Sequence, residues 1–427
     1  KPPDVNLATV QKMGVTSPDY GSGQRSIPIR GKDDIRYIRI TDFDDDGIVP
    51  YNEFVTAEIA EERYRLIDGD ILFARSGATA GKTFIYTQDI GPSIFAGYCI
   101  RFRFDSKKVL PKYIYYYTKT LRYQAWVRAI QRPAGQPNIN KEEFKSFLVP
   151  LPKREVQQEL VEDLDGARES RIRKLELADA LLSSLDDFLL SCLGLTAPEP
   201  STQVAYAIGS HILLGTKQIG ADYFHPERRR ALQAIQSSKR ARRAERLGDV
   251  ADFLRDLTGE YDPELYLGLA GVQRNTGELA ETNEEPGKGQ AVVFQKDDIL
   301  FARLRPYLNK VWRAEHGGVG SPEFHVIRIK KEVKDLLPDY LATILRSSII
   351  VAQTKHMMTG NTHPRLANED VVDLLIPIPD ESTQGEIVEE LCRRRLKARR
   401  LREEAGREWA AAKARFEKKL LGMEDNT

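Results

Sequence analysis

Hydrophobic residues follow two patterns along the chain, and each pattern occurs twice. Short runs of β-branched and aromatic residues, bounded by Gly, Pro and Asp, predict β-strands. The predicted strands include residues 36–40, 69–74, 98–104 and 325–329. Pro111 and Pro338 then predict helix starts, because proline is well placed at the first position of a helix. The two halves therefore share one order of elements.

The second pattern consists of two long segments with apolar residues at 3/4 spacing among dense charge. Asp380 is placed to cap the second of them. We interpret these narrow stripes as coiled-coil seams rather than faces of a globular core, on helices of about 35 residues and roughly 50 Å. The alternative is two ordinary amphipathic helices packed on their own domains. The predicted seam and partner-binding residues are Leu160, Leu164, Leu175, Leu182, Leu185, Leu189, Ile387, Leu391, Leu401, Phe416 and Leu420.

Sequence motifs repeat in the same order. Residues 70–75, Asp-Ile-Leu-Phe-Ala-Arg, recur unchanged at 298–303, an offset of 228. A Leu-Pro-x-Tyr motif, a Pro-x-Pro exit at which we expect the sheet to stop, and a glutamine all recur at an offset of 227. This period is far too long for a solenoid, so it indicates a duplicated domain. The recurring positions are 110–113 and 337–340, 150–152 and 377–379, and Gln157 and Gln384.

These patterns predict an α+β fold of two repeated mixed α/β domains, each followed by a long helix. The predicted boundaries are residues 1–152 for the first domain, 153–203 for the first helix and linker, 204–379 for the second domain, and 380–427 for the second helix. Only the second half carries a preface, so we expect the natural chain to begin earlier.

Composition narrows the class of protein. The chain has 427 residues, 64 basic against 63 acidic side chains, and a mean hydropathy of −0.44. It has no apolar run near the ~18 residues of a membrane span, and its three scattered cysteines fit a reducing cytosol. A net charge of +1 argues against a nucleic-acid binder unless the cations are local. Residues 225–246 are such a local cluster, with eight basic side chains against two acidic ones.

One segment resembles a phosphate-binding loop. Residues 76–83 nearly match the pattern G-x-x-x-x-G-K-[ST], but Ser76 replaces the first glycine and the copy at 304–310 contains no glycine. We therefore disfavour nucleotide hydrolysis. A nucleotide-binding enzyme built around Gly81, Lys82 and Thr83 remains the main alternative.

The two copies of this loop keep their cations and change the rest. Arg75 and Lys82 match Arg303 and Lys310, which suits a surface that grips a constant polyanion and reads something variable. A second variable pair of loops surrounds the aligned Pro137 and Pro364. The candidate DNA-binding residues are Arg75, Ser76, Lys82, Arg132, Gln136, Asn138, Arg303, Arg305, Tyr307, Asn309, Lys310, Asn361, His363 and Arg365.

Catalytic motifs are missing from the sequence. The six histidines show no metal-ligand spacing with each other or with cysteine, and there is no G-x-S-x-G elbow. The sequence also lacks the Asp/Asn-Pro-Pro-Tyr/Phe run of amino-methyltransferases that act on bases. We therefore assign no catalytic residue and no metal ligand.

Together, the duplicated motifs, the segment at 222–226 (Asp-Tyr-Phe-His-Pro) and the two long helices resemble the specificity subunit of type I restriction–modification enzymes. The resemblance spans essentially the whole chain. It implies a non-catalytic, cytoplasmic protein whose two domains read the halves of an asymmetric, bipartite double-stranded DNA target. It also implies that the long helices pair antiparallel and set the distance between the domains.

The same resemblance implies partners. Two methyltransferase subunits would supply S-adenosylmethionine, restriction subunits would supply ATP-driven cleavage, and no cofactor or membrane would bind this chain. A specificity region cut from a single-chain restriction-methyltransferase is the remaining alternative.

Overall fold

The computed structural model describes residues 6–31, 33–44, 47, 54–130, 137–203, 205–209, 220–282, 289–360 and 364–422. Four candidate DNA-binding residues lie outside these ranges: Arg132, Gln136, Asn361 and His363. The structure groups the four predicted segments into two compact units. The first unit is Lys1–Leu175 with Glu403–Thr427, and the second is Glu176–Arg402. Each unit therefore holds one repeat and a part of each long helix.

The repeat of the first unit contains three sheets and four short helices. One antiparallel sheet has the strand order Asp19–Tyr20, Cys99–Phe102, Ile71–Ala74 and Thr83–Ile85. A second sheet has the order Ser26–Ile27, Thr56–Ala57, Arg36–Ile38 and Ser93–Phe95, with the last pair parallel. A two-stranded antiparallel sheet joins Asn6–Thr9 to Leu148–Leu151. The α-helices are Val10–Met13, Pro111–Tyr117, Leu121–Ile130 and Lys141–Ser146, with 3-10 turns at Glu62–Tyr64, Gly77–Thr79 and Gln88–Ile90.

The repeat of the second unit has the same set of sheets. The antiparallel sheet has the order Ala251–Leu254, Phe324–Ile329, Ile299–Ala302 and Val311–Arg313. The sheet with a parallel pair has the order Leu257–Thr258, Ala291–Phe294, Gly318–Gly320 and Tyr266–Leu267. The two-stranded sheet joins Arg243–Arg246 to Leu375–Ile378. The helices are Pro226–Ser237, Leu247–Val250, Pro338–Leu345, Ser348–Thr354 and Asn368–Val372, with 3-10 turns at Asp222–Phe224, Pro263–Leu265 and Pro306–Leu308.

The duplicated α+β architecture and the predicted strands are thus confirmed, but the prediction that the sheet stops at Pro-x-Pro is wrong. Pro150 pairs with Leu7 and Pro377 pairs with Ala244, each inside a two-stranded sheet. Both strands of such a sheet are edges, and an edge strand tolerates a residue without an N–H. The long helices begin just after these sheets, at Arg154 and Glu381.

The repeated acidic residue of the Asp-Ile-Leu-Phe-Ala-Arg strand has a structural role in both units. Asp70 is fully buried, and its two carboxylate oxygens accept from Nε and Nη2 of Arg103, both at 2.8 Å. Asp298 is equally buried and accepts from Arg328 at 2.6 and 2.7 Å. A buried carboxylate is stable only when it is paired and hydrogen-bonded, so the aspartate and the arginine are required together.

The other repeated motifs form one hydrogen-bonded lock in each unit. The Tyr113 hydroxyl donates to the carbonyl of Pro150 at 2.6 Å, and Gln157 accepts from the Leu110 N–H at 3.0 Å. Gln157 also donates to the carbonyl of Pro152 at 2.9 Å, which ties the start of the long helix to the sheet exit. The matching bonds of the second unit are Tyr340–Pro377, Leu337–Gln384 and Gln384–Pro379. These motifs recur because they join each repeat to its helix.

The long helices, Arg154–Cys192 and Glu381–Leu420, run antiparallel within each unit. In the first unit Glu159 pairs with Lys419, while Lys174 pairs with Glu404 at 3.4 Å. In the second unit the ion pair is Asp179–Arg402 at 2.7 Å, and Ser184 accepts from Arg394 at 2.9 Å. In both units the residue number falls along one helix as it rises along the other, as predicted.

Burial along the helices corrects the interpretation of their apolar stripes as seams only. Leu160, Leu164 and Phe416 belong to the same hydrophobic core as Tyr113, and the Tyr113 and Phe416 ring centroids lie 5.8 Å apart. The helix ends therefore complete the domain cores, and only the middle is a narrow helix–helix seam. The buried seam residues are Leu160, Leu164, Leu189, Ile387, Leu391, Phe416 and Leu420. The half-buried ones are Leu175, Leu182, Leu185 and Leu401.

Among the described residues, no helix combines the length and the apolar character needed to span a membrane.

Candidate nucleic-acid interface

Two loops that are distant in sequence meet at the end of the first repeat's central strand. The backbone carbonyl of Arg75 accepts from the Ile139 N–H at 2.8 Å, and Gly77 donates to the carbonyl of Pro137 at 2.9 Å. Ser76 and Asn138 form an antiparallel bridge between these two bonds. We call residues 75–79 and 137–139 the first loop pair. The sequence singled out both loops as variable, and the structure brings them together.

The second repeat builds the same junction. Leu366 donates to the carbonyl of Arg303 at 3.0 Å, and Arg305 donates to the carbonyl of Pro364 at 2.7 Å. Leu304 and Arg365 form the matching bridge. Residues 303–309 and 364–366 are the second loop pair. Only backbone atoms make these bonds, so the side chains can change without loss of the frame.

A third strand adds one further side chain to each loop pair, which the sequence comparison missed. Arg75 donates its N–H to the carbonyl of Tyr98 at 3.0 Å, and Arg303 donates to Glu323 at 2.9 Å. Tyr98 and Glu323 therefore occupy equivalent positions. The signal was weak because these residues share no letters and lie two or more residues from the matching strand segments.

The two loop pairs differ in the chemistry that they expose. In the first, Tyr98 is 63% exposed and Asn138 is also exposed, giving an aromatic ring and an amide. In the second, Glu323 accepts from Arg365 through both carboxylate oxygens, at 2.8 to 3.2 Å. These hydrogen bonds hold the pKa of Glu323 below its usual range against the opposing effect of burial. Tyr307 and Arg305 are exposed beside them.

The conserved arginines lie at the base of each loop pair. The Arg75 guanidinium stacks over the Tyr20 ring at 4.7 Å. Within the described ranges, the Nε atoms of Arg75 and Arg303 are both buried without a hydrogen-bond acceptor. Positive charge is thus fixed at the same place in both repeats, while the residues around it differ.

The comparisons with known proteins agree with this geometry. Residues 24–174 match the family model described as Type I restriction modification DNA specificity domain. The first repeat is a type I restriction–modification DNA specificity domain. The predicted family is therefore confirmed, and the second repeat is its internal copy. No curated protein sequence matches the chain.

Solved structures show the same fold. A chain of a type I R-M system, solved to explain complex assembly and conformational transition, aligns at TM-score 0.55 and 15% identity, with 99% of each chain covered. The HsdS subunit from Thermoanaerobacter tengcongensis aligns at 0.40 and 14%, with 99% and 98% covered. The type I system S subunit from M. genitalium aligns at 0.47 and 14%, with 100% and 98% covered.

Two candidate DNA contacts in the second specificity repeat have internal roles. Asn309 is buried, and its amide donates to Asn275 at 3.1 Å and to the carbonyl of Arg346 at 2.5 Å. The Lys310 ammonium donates to the carbonyl of Leu269 at 2.6 Å and is half-buried. We therefore no longer count these two residues, or Lys82 at the position equivalent to Lys310, among the first choices for phosphate contact.

The specificity repeats also differ beneath the loops. His325 pairs with Phe301 in the sheet, where the first repeat pairs Ile100 with Phe73. Burial and the neighbouring Arg303 lower the pKa of His325 to about 4, so its ring is neutral. Its Nε2 lies 3.3 Å from the Leu366 carbonyl and supports the second loop junction.

The phosphate-loop alternative does not fit the specificity domain. Such a loop needs a helix N-terminus directly after its lysine, and here the strand Thr83–Ile85 follows Lys82. Gly81 has a φ of +89°, and a Cβ there would lie 2.6 Å from Val127. Packing and backbone conformation, rather than phosphate binding, explain this glycine.

The basic segment at 225–246 is largely used inside the second unit. Arg228 is buried with its guanidinium 4.0 Å from the Tyr223 ring centroid. Arg240 donates to the carbonyl of Ser191 at 2.8 Å, and Arg243 pairs with Asp335 at 2.7 Å. A helix facing phosphate would have to rely on the exposed Arg229 and its neighbours.

Proposed function

We propose that this chain is the DNA-reading specificity subunit of a type I restriction–modification complex and binds an asymmetric, bipartite double-stranded DNA target. The observation that carries the proposal is the pair of matched loop junctions, with equal backbone bonds and different side chains. Direct readout of base edges requires donors and acceptors on a rigid frame, and Asn138, Glu323 and Arg365 supply them. Different side chains imply different half-sites.

The proposed complex divides the chemistry among subunits. The chain itself acts without catalysis, while methyltransferase subunits contribute S-adenosylmethionine and restriction subunits contribute ATP-driven cleavage. The solved chain of similar fold belongs to a study of complex assembly of a type I R-M system, which supports assembly with such partners. A DNA target of this kind places the complex in the cytoplasm.

The net charge of the chain gives a further expectation about DNA binding. With a formal net charge of +1, the protein alone should bind duplex DNA weakly, because non-specific affinity comes mainly from phosphate neutralisation. Methyltransferase subunits should supply much of the remaining contact to phosphate.

The paired helices would set the spacing between the two half-sites. Since both helices contribute to both units, a spacer change needs insertions in both helices, after Lys174 and after Arg402. Seven residues in each add about two turns, roughly 10.5 Å. We expect a longer spacer between unchanged half-sites.

The direct test is co-expression with the neighbouring methyltransferase, followed by genome-wide mapping of methylated adenines. The proposal predicts one bipartite motif that disappears when this chain is omitted. A motif that persists without the chain, or a contiguous motif with no spacer, would refute it. Saturable ATP binding by the isolated chain would instead support the nucleotide-binding alternative.

A further inference from the structure

Two histidines and a glutamate that are far apart in sequence meet in the second unit. His225 caps the helix Pro226–Ser237, Glu227 lies in its first turn, and His356 follows the helix Ser348–Thr354. One ligand atom of each residue lies within 4.8 Å of the others. His356 Nε2 is 2.9 Å from a Glu227 carboxylate oxygen, and the two imidazole centroids are 3.4 Å apart.

The chemistry of the three groups suits a cation. Glu227 is only 5% exposed, and although burial opposes ionisation, hydrogen bonds from His356 and Lys355 keep its pKa below the usual range. Burial and the nearby His356 lower the pKa of His225, so its ring is neutral and keeps a free electron pair at one nitrogen. A buried carboxylate beside two imidazoles is the donor set that zinc prefers when it keeps an open fourth position.

We propose that His225, Glu227 and His356 bind one divalent metal ion of the zinc class. Neutral imidazoles and a carboxylate favour Zn²⁺, Co²⁺ or Ni²⁺ over the hard ions Mg²⁺ and Ca²⁺, which prefer oxygen ligands. The ion replaces the Glu227–His356 hydrogen bond, and water completes the coordination. It joins the two helices that carry the ligands and stabilises the segment that leads into the second repeat.

Lys355 is the competitor of the metal ion. Its ammonium lies 3.3 Å from both carboxylate oxygens of Glu227 and supplies positive charge to the same group. It is 42% exposed, so it can turn to solvent when an ion enters. The relation between lysine and metal gives a test that a purely structural ion pair would fail.

The first experiment titrates Co²⁺ and then competing Zn²⁺ into the full chain, freed of metal by a chelator. Visible absorption should report one nitrogen- and oxygen-ligated Co²⁺ per chain, without the charge-transfer band of a cysteine ligand. His356→Gln should weaken Zn²⁺ binding by at least about tenfold, since a lost ligand costs no less than a lost outer-shell partner. The control is His316→Gln, because His316 is exposed and outside the cluster.

The second experiment uses Lys355→Met, which removes the competing cation and leaves all three ligands. The proposal predicts tighter Zn²⁺ binding and a larger zinc-dependent rise in Tm than in the wild type, with no such rise in His356→Gln. Equal binding by wild type and His356→Gln, no saturable binding, or no gain in affinity in Lys355→Met would overturn the site. In those cases the cluster is an ion network balanced by Lys355.

Discussion

The two loop pairs differ in what they expose, although their backbones are joined in the same way. The first presents the exposed ring of Tyr98 beside the amide of Asn138, whereas the second presents Glu323 in a two-oxygen ion pair with Arg365. In both, the bonds that fix the loops use only main-chain atoms. A frame made of backbone bonds lets the residues that read DNA change while the fold stays constant.

The motifs that remain identical between the repeats have another purpose. Asp70 and Asp298 anchor buried ion pairs, and Tyr113 and Tyr340 lock the sheet exits to the long helices. The comparison therefore separates invariant positions, which hold each unit together, from variable positions, which we assign to recognition. The following predictions test that separation.

The largest effect is expected from removing a buried aspartate. Asp70→Ala and Asp298→Ala each leave an arginine without its carboxylate, and breaking a buried pair typically costs about 3–5 kcal/mol. The free energy of unfolding, measured by urea denaturation with hydrogen exchange to locate the damage, should fall by a similar amount in either variant. The exposed Asp34 serves as the control, and Asp34→Ala should change little. A large cost in one repeat only would show that the repeats are not built alike.

His325 should make the second repeat sensitive to acid in a way that the first is not. The folded pKa is about 4, below the unfolded value of roughly 6.5, so the unfolded state binds the proton first. The stability that the neutral ring contributes is therefore present above pH 6.5 and is lost as pH falls toward 4. The effect is of order 2–3 kcal/mol.

His325→Ile, which copies Ile100 of the first repeat, should flatten this pH dependence of the unfolding free energy. The measurement is urea denaturation across that pH range, with Ile100→Val as a packing control. An unchanged slope in His325→Ile would show that carboxylates, and not this histidine, govern the acid response.

The next effect concerns recognition by the second loop pair. Arg365→Ala in the assembled complex should reduce discrimination at one or two base pairs of a single half-site, by about 1–3 kcal/mol. Competition binding with single-base variants of the target measures this. The matched control is Asn138→Ala, which should act on the other half-site. Uniform weakening on all sequences would reassign Arg365 to phosphate contact.

The smallest effect separates Lys310 from Arg305. Lys310→Met should cost about 1 kcal/mol of stability through its lost bond to Leu269 and leave the salt dependence of DNA binding unchanged. Arg305→Ala, at an exposed position, should lower the slope of log K against log salt by about 1. If Lys310→Met lowers the slope, Lys310 contacts phosphate in the complex.

Sequence patterns predicted the architecture well because its causes are local or repeated. Alternation of apolar residues marked the strands, Pro111 and Pro338 marked helix starts, and the 3/4 stripes marked both long helices. The share of those helices in the domain cores was missed, because an apolar stripe does not reveal which surface covers it. Phe416 contacts Tyr113 across more than half of the chain.

The candidate site was only partly predictable. Matching motifs pointed to both loops of each pair, but not to Tyr98 or Glu323, whose equivalence exists only in the hydrogen-bond pattern. Charge alone also misassigned Lys310 and Asn309, since a polar side chain in a variable loop can equally bond to a carbonyl inside its own domain. The histidines were set aside because they are distant in sequence, although His225 and His356 stack in the fold.

The most direct test of the central claim converts the second loop pair toward the first. The double variant Glu323→Tyr, Arg365→Asn is co-expressed with the methyltransferase subunits, and methylated adenines are mapped across the genome. The account predicts that one half-site changes or loses its specificity, while the other half-site and the spacer stay the same. A change in both half-sites, or in the spacer, would contradict it.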